Sequence, residues 1–427
     1  MPTRFGTIGD RYANGTSILR GQHYLSDTAM PDRNDSAQFA GYGVVYFGND
    51  WFAENRTSSH HIARRLARQV PLLYIDSPGL RAPNTSGRDV KRLWRKLVDA
   101  ARLPKQLDDH FWHCTVPQIP YRSLPGVNAL NQAFGLWAVR RALRHVGFKK
   151  RISWFVVPHP GFMAKRLQEE MCVYYCIDDY AAHPGVDAER VANSDRELTA
   201  KADQVFVAPP ALLAIKKSQN PSAVFAPHGV DVELFKQAMK SETIVPEPAR
   251  SLRGPVIGYF GSIAAWIDIE LIVWLARTRP QWSFLLVGQA FVDVSALKSL
   301  SNVMMVGPQP YESLPCWAKA FDVAIIPYRL NQQVKNANPL KLREYLATGR
   351  PIVTVSNPEI ERFSQWVRIV DGYAAFLAAI EHSLLPEPVE AANSRIAAVE
   401  HMTWDHRVEE VLATAARALH SQLGTRL

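Results

Sequence analysis

The chain has 427 residues, 47% hydrophobic and 21% charged, an ordinary globular composition that at roughly 100–200 residues per domain leaves room for two or three domains. No run approaches the ~18 uncharged apolar residues of a membrane-spanning helix, and the N-terminus, MPTRFGTIGDRYANGTS, has no apolar signal-peptide stretch, so the expectation is a cytoplasmic protein. Four cysteines, Cys114, Cys172, Cys176 and Cys316, make neither a disulfide framework nor a zinc-spaced CxxC pair, and Cys172 and Cys176 alternate onto one face of the apolar run MCVYYCI, as core residues do.

The net charge of +9 is unevenly spread. Residues 1–228 hold 30 Lys+Arg against 20 Asp+Glu, whereas residues 229–427 hold 19 against 20. From Phe111 to Gln168 there are nine basic residues and no acidic one. A positive first half suits an anionic partner such as a membrane surface or a phosphate-bearing acceptor, and its basic stretches lack a recognisable RNA or DNA module, so nucleic acid is not expected.

In chain order, residues 1–40 are polar and read as an arm, with ordered structure beginning at Tyr42. Apolar runs then alternate with helical patterns. The runs at 43–47, 71–76, 152–157, 173–178 and 204–208 have the length and the Val, Ile, Tyr and Phe content of buried strands, and helices fit 59–69, 127–146, 188–202 and 210–218. Arg81 to Lys105 carries eight basic and two acidic residues with Leu93, Trp94, Leu97 and Val98 interleaved, which predicts a basic amphipathic helix suited to an anionic leaflet. The pattern restarts after a polar linker, with strands at 255–260, 284–288, 303–307, 323–327 and 351–355 and helices at 267–278, 314–321, 339–348 and 372–384. A last helical stripe, 404–419, has no strand after it and must return to something already formed.

This is βαβ punctuation in two units, an α/β protein of two doubly wound, Rossmann-like domains (41–228 and 229–403) facing a cleft, with the segment 404–427 packing back toward the first. Neither unit has GxGxxG after its first strand, which disfavours a dinucleotide enzyme, and no cofactor is expected. Ligands of open α/β sheets sit beyond the carboxyl ends of strands, so residues at those turns carry most weight.

The segment NANPLKLREYLATGRPIVTV joins a polar loop, a proline at the first helical turn, a short helix and a buried strand. Free N–H groups at that helix start favour an anion, Lys341 adds a charge suited to a diphosphate, and Glu344, three residues on, shares its face. In the first half, Asp50 follows a strand end where it acts as an acceptor contact or a helix cap. His159, between Pro158 and Pro160, is a candidate contact to the reacting part of a bound substrate. Asp178 and Asp179 are adjacent, so at most one faces the cleft. His228 ends the last strand before the linker, near a ligand of the cleft or at the hinge.

With these residues in place, the chain resembles the retaining nucleotide-sugar glycosyltransferases known as family 4 or group 1, of the bacterial polysaccharide-biosynthesis type, whose donor segment has the form PLKxxEYLAxGxPVV. His228-Gly229-Val230-Asp231, Gly258-Tyr259-Phe260-Gly261-Ser262 and Val306-Gly307-Pro308 are also similar, in the same order, over about residues 228–356. The first half resembles it chiefly in Gly48-Asn49-Asp50-Trp51 and Val173 to Tyr180. The resemblance implies a GT-B fold and sugar transfer from a nucleotide-diphosphate sugar to a glycan or lipid-linked acceptor, on the cytoplasmic side or at the inner face of the membrane. It implies that Lys341 neutralises the pyrophosphate, Glu344 holds the ribose, Gly261 and Ser262 let backbone approach the phosphates, and Val306 and Gly307 meet the base. Asn338, Pro339 and Leu340 start the donor helix, and Tyr328 and Arg329 end a strand beside it, with Arg329 offering a second phosphate contact.

Two departures stand out: Asn336 occupies the place of a sugar-facing glutamate eight residues before Glu344, and Ala264-Ala265-Trp266-Ile267-Asp268 lacks the basic residue common after the Gly-Ser turn. No Asp-x-Asp lies near the donor segment, so no metal is called for. A sugar-nucleotide epimerase of the same two-Rossmann form, and a non-catalytic scaffold, remain open readings.

Overall fold

The computed structural model describes residues 39–53, 56–77, 103–116 and 126–424. Most of the arm at 1–40 and most of the basic segment Arg81 to Lys105 lie outside the described residues. Its far end departs from the expectation, because Lys105 opens a strand rather than closing a helix.

The first sheet contains β1 (Tyr42–Gly48), β2 (Leu72–Asp76), β3 (Lys105–Asp108), β4 (Phe111–Thr115), β5 (Lys150–Phe155), β6 (Met171–Cys176), β7 (Gln204–Val207) and β8 (Val224–Phe225), ordered β3-β4-β2-β1-β5-β6-β7-β8. Its helices are α1 (Ser58–Gln69), α2 (Val127–Val146), α3 (Ala188–Lys201) and α4 (Pro210–Gln219). The second sheet, β9 (Val256–Phe260), β10 (Ser283–Val287), β11 (Val303–Gly307), β12 (Val323–Ile326), β13 (Ile352–Thr354) and β14 (Arg368–Ile369), is ordered β11-β10-β9-β12-β13-β14. With it go α5 (Ile269–Thr278), α6 (Leu340–Ala347), α7 (Tyr373–Ser383) and α8 (Val389–Ala397), and the chain ends in α9 (Trp404–Gly424). No described helix is long and apolar enough to cross a membrane.

All described strand pairs are parallel except β3 with β4. Parallel strands are covered on both faces, so they read as continuous apolar runs, and every residue of β1, β2, β6, β9 and β10 is buried. The strands β3, β4 and β14 escape the sequence reading: KQLD and RI are polar or too short, and FWHCT is buried only in part. In both sheets the strand order reverses beside the first strand, between β1 and β5 and between β9 and β12. Those reversals open the crevices in which doubly wound sheets take ligands.

One face of the first sheet is covered by α9. Trp404, Val408, Val411, Leu412, Ala415 and Leu419 share a core with Tyr46, Tyr74, Val173 and Tyr175. The opposite face holds Cys172 and Cys176, packed as core residues whose thiols burial pushes up to about 12. The chain thus crosses between halves twice, and the crossings touch: Val230 N–H donates to the Met402 carbonyl at 2.9 Å. A Cβ on Gly229 would stand 2.7 Å from the backbone of Trp404, so glycine is what lets the returning strand of chain pass.

Candidate functional site: the cleft between the two sheets

On the second-half side, the turn after β9 is shaped by two glycines in the positive-φ region, Gly261 (129°) and Gly288 (148°). Gly261 N–H donates to the Val287 carbonyl at 2.7 Å, and a Cβ on Gly288 would stand 2.0 Å from the Gly261 carbonyl oxygen. A Cβ on Gly261 itself would fall 1.8 Å from Cε and 2.4 Å from Nζ of Lys341. The lysine side chain therefore lies directly over the Gly-Ser turn, with its ammonium 5.9 Å from the Tyr259 ring. The turn's inner side is locked: the Tyr259 hydroxyl donates to the Ser262 carbonyl at 2.8 Å, and Phe260 N–H donates to the Tyr345 hydroxyl at 2.8 Å.

Lys341 belongs to the first turn of α6, where helix N–H groups have no partner within the helix. Pro339 is the N-cap rather than the first helical residue. Glu344 is buried on the same helix, and its carboxyl is pushed up to about 7, chiefly by burial and further by Asp231, while Lys341 pulls it down. Burial lowers the ammonium of Lys341 in turn, and Glu344 opposes that shift. A lysine, the start of α6 and a buried carboxylate meet here beside a glycine turn, an arrangement that can take a diphosphate and a diol.

Other expected donor residues are placed differently. Asn338 Nδ2 donates to the Ala208 carbonyl beyond β7 at 2.7 Å, and its oxygen accepts from Arg343 Nη1 at 2.7 Å. Arg343 is fully buried and held by Glu359. The side chain of Asn338 is thus committed to anchoring the start of α6 on the first half, where Leu340 also packs against the first-half core. Arg329 is half exposed and turned to the start of α5, with Nε 4.0 Å from Asp268 and Nη2 3.6 Å from Glu270, while Tyr328 is buried beneath with its hydroxyl raised by burial and by Glu344. Val306 and Gly307 end β11 half-buried, Gly307 at φ 71°, and the Val306 carbonyl accepts from Gln309 Nε2 at 3.3 Å.

His228 is buried, its ring centroid 6.0 Å from that of Trp404. Burial, then Arg343 and Arg407, pull its pKa down to about 3, so it is a neutral residue packed at the crossing of the two halves.

On the first-half side, Asp50 is exposed and accepts from Phe52 N–H at 3.0 Å, closing its own turn. The carboxylate that the sequence reading missed is Asp76 at the end of β2. It is 7% exposed and accepts from Trp51 N–H at 2.8 Å and Thr115 Oγ1 at 3.0 Å, with His113 Nε2 at 2.8 Å. Asp76 lines a small cavity with Phe47, Ser77, Asn131, Pro160 and Phe162. The available signal was the aspartate closing the run PLLYID at a strand's carboxyl end. His159 begins a single 3₁₀ turn, His159–Met163, after β5, and its neighbour Pro160 lines that cavity.

The halves meet through polar bridges. Asn336 Nδ2 donates to Asp179 Oδ2 at 2.8 Å, so a carboxylate of the first half faces the position that lacks one in the second. Asp178 turns to His183 at 2.8 Å instead. Arg56 meets Glu312 at 2.5 Å, Arg65 meets Asp231 at 2.5 Å, and the buried His61 stacks on Trp404 with ring centroids 4.9 Å apart.

No protein-family model matches the chain. Over 146 residues it is 31% identical to the Bacillus subtilis (strain 168) protein TuaH, itself named only provisionally as a teichuronic acid biosynthesis glycosyltransferase. The match covers 32% of this chain and spans about a third of that relative's length, 35%. Among solved structures, sucrose-phosphate synthase from Thermosynechococcus elongatus aligns with a TM-score of 0.63 at 15% identity, covering 90% of this chain and 100% of that one. Anabaena HepE in complex with UDP and glucose aligns at 0.58 and 12%, over 87% and 99%. The catalytic domain of Arabidopsis thaliana starch synthase IV, bound to ADP and acarbose, aligns at 0.59 and 11%, over 89% and 99%. The fold is therefore that of the GT-B glycosyltransferases: two Rossmann-like halves across a cleft.

Proposed function

We propose that the protein is a glycosyltransferase that moves a sugar from a nucleotide-diphosphate sugar to a glycan or lipid-linked acceptor, with retention, in the synthesis of a cell-surface polysaccharide. The observation that carries the reading is Lys341 lying over the side-chain-free Gly261 turn at the start of α6, with buried Glu344 on the same helix. In this reading the diphosphate lies against the Gly261-Ser262 turn beside Lys341, and Glu344 accepts from the ribose hydroxyls. The C1–O bond breaks with its electron pair leaving on the diphosphate, whose growing charge Lys341 and the α6 amides stabilise. The acceptor hydroxyl forms the new C1–O bond and passes its proton to the diphosphate oxygen departing from the same face. The polysaccharide role and the glycan acceptor draw support from the name of the Bacillus subtilis relative, and retention from the resemblance of the donor segment.

Screening UDP-, GDP- and ADP-sugars for thermal stabilisation identifies the donor, since a ligand of the folded state raises apparent stability. Lys341→Ala should then weaken that donor about 100-fold, the scale for truncating one partner of a buried charge pair. Calorimetry showing unchanged affinity would remove Lys341 from the site. Isomerised donor without transfer to any acceptor would favour an epimerase instead.

A further inference from the structure

We infer that the outward face of α2 is a docking surface for an anionic lipid bilayer. The helix is amphipathic in an unusual way. Its inner side, Leu136, Val139, Ala142 and Leu143, is buried in the first-half core. Its outer side carries a second apolar stripe: Leu130, Phe134 and Trp137 are 60%, 38% and 47% exposed. Their spacing of four and three residues puts them on one line along the helix. The Phe134 and Trp137 rings stack with centroids 5.5 Å apart, forming a single ridge.

One turn further on, the same side becomes basic with Arg140, Arg141 and Arg144, and the Arg141 guanidinium lies 5.9 Å from the Trp137 ring. Lys149 and Lys150 follow, both exposed, within a stretch of chain from Phe111 to Gln168 that holds no acidic residue. A ridge of tryptophan, phenylalanine and leucine bordered by arginines matches the interfacial region of a bilayer, where aromatic rings sit at headgroup level and arginines meet anionic lipid. Pairing of this face with a second copy would instead bury several arginines with no carboxylate on the same stretch to meet them.

The orientation has a consequence for the site. Asn131, on the buried side of α2, lines the cavity that holds Asp76 and Pro160. Seating the ridge on a membrane therefore brings the acceptor side of the cleft close to lipid headgroups, where a lipid-linked acceptor would be presented. That consequence rests on the transfer reading above; the docking itself does not.

The test uses the whole protein, sedimented with phosphatidylcholine vesicles and with equimolar phosphatidylcholine and phosphatidylglycerol vesicles. Selective pelleting with the anionic vesicles, weakened by added salt, is expected. Combined Phe134→Ser and Trp137→Ser should abolish it, and Arg144→Gln should weaken partitioning about fivefold, the scale of one basic residue at an anionic surface. Both variants should keep the wild-type thermal stabilisation by a nucleotide sugar, which shows that they fold. Equal pelleting with neutral vesicles overturns the proposal, as does undiminished pelleting of the serine variant. A concentration-dependent dimer that the serine substitutions dissolve, without vesicle binding, also overturns it. Selective pelleting of a protein that no nucleotide sugar stabilises would leave the docking standing and remove the transfer reading.

Discussion

The two halves of the cleft are built on the same doubly wound plan, yet one announces its chemistry in the sequence and the other does not. On the second half, the proposed diphosphate cradle needs a glycine turn, a helix start and a lysine, and the last two lie within four residues of one another in Asn338 to Lys341. On the first half, the polar groups are gathered from separate elements: Asp50 from the turn after β1, Asp76 from the end of β2, His113 and Thr115 from β4, Asn131 from α2 and His159 from a 3₁₀ turn. A binding site made by local backbone geometry leaves a contiguous motif. One assembled by tertiary packing leaves single residues that resemble any other strand end.

The comparison breaks most sharply at Glu344. Its carboxyl is raised to about 7 by burial, so between pH of about 4.5 and 7 the folded state holds a proton the unfolded chain has released. Unfolding free energy therefore falls as pH rises through that window, by up to about 3 kcal/mol, and stays at the lower level above it. Glu344→Gln should stabilise the unliganded protein at pH 8 by a similar amount and flatten the profile. The same substitution should cost about tenfold in donor affinity, because hydroxyl donors lose a charged acceptor. An unchanged pH slope in the glutamine variant, read from urea unfolding at several pH values, would show that the titration belongs to another group.

A smaller effect is expected at Asn338, where the second half is physically joined to the first. Asn338→Ala removes the bonds to the Ala208 carbonyl and to Arg343 and should cost about 2 kcal/mol in stability, since both partners are left buried. Donor affinity should fall with it if the first half fixes the start of α6. A stability loss with donor affinity intact would make the second half self-sufficient.

Much of the architecture was legible because buried parallel strands must be apolar throughout. The runs at 43–47, 173–178 and 255–260 each fall within two residues of β1, β6 and β9. The strands β3, β4 and β14 and the single helical turns at Val232–Phe235 and Gln332–Lys335 were not, because they are too short or too polar for a repeat to stand out. Within the site, Lys341, Glu344 and Gly261 stand together, whereas the direction in which the side chains of Asn338, Arg329 and His228 point was not legible in the sequence. Hydrogen bonds to Ala208, an acidic pair on α5 and burial beside Trp404 respectively decide where those side chains point, and none of these partners is a sequence neighbour.

The finest distinction lies within the first half, between an aspartate that sequence reasoning chose and one that it passed over. Asp50 closes a turn at the surface, so Asp50→Ala should cost about 0.5–1 kcal/mol, the scale of a lost cap, and leave donor and acceptor kinetics unchanged. Asp76, which lines a small cavity, accepts from a backbone amide and a threonine and holds a histidine, so it ties β2 to both β4 and the turn after β1. Asp76→Asn should therefore raise the acceptor KM several-fold while donor affinity, measured separately, stays at its wild-type value. The opposite pattern, with Asp50→Ala impairing acceptor use and Asp76→Asn silent, would move the acceptor contact out to the exposed turn. It would also mean that the buried Asp76, His113 and Thr115 cluster serves only to tie β2 to β4.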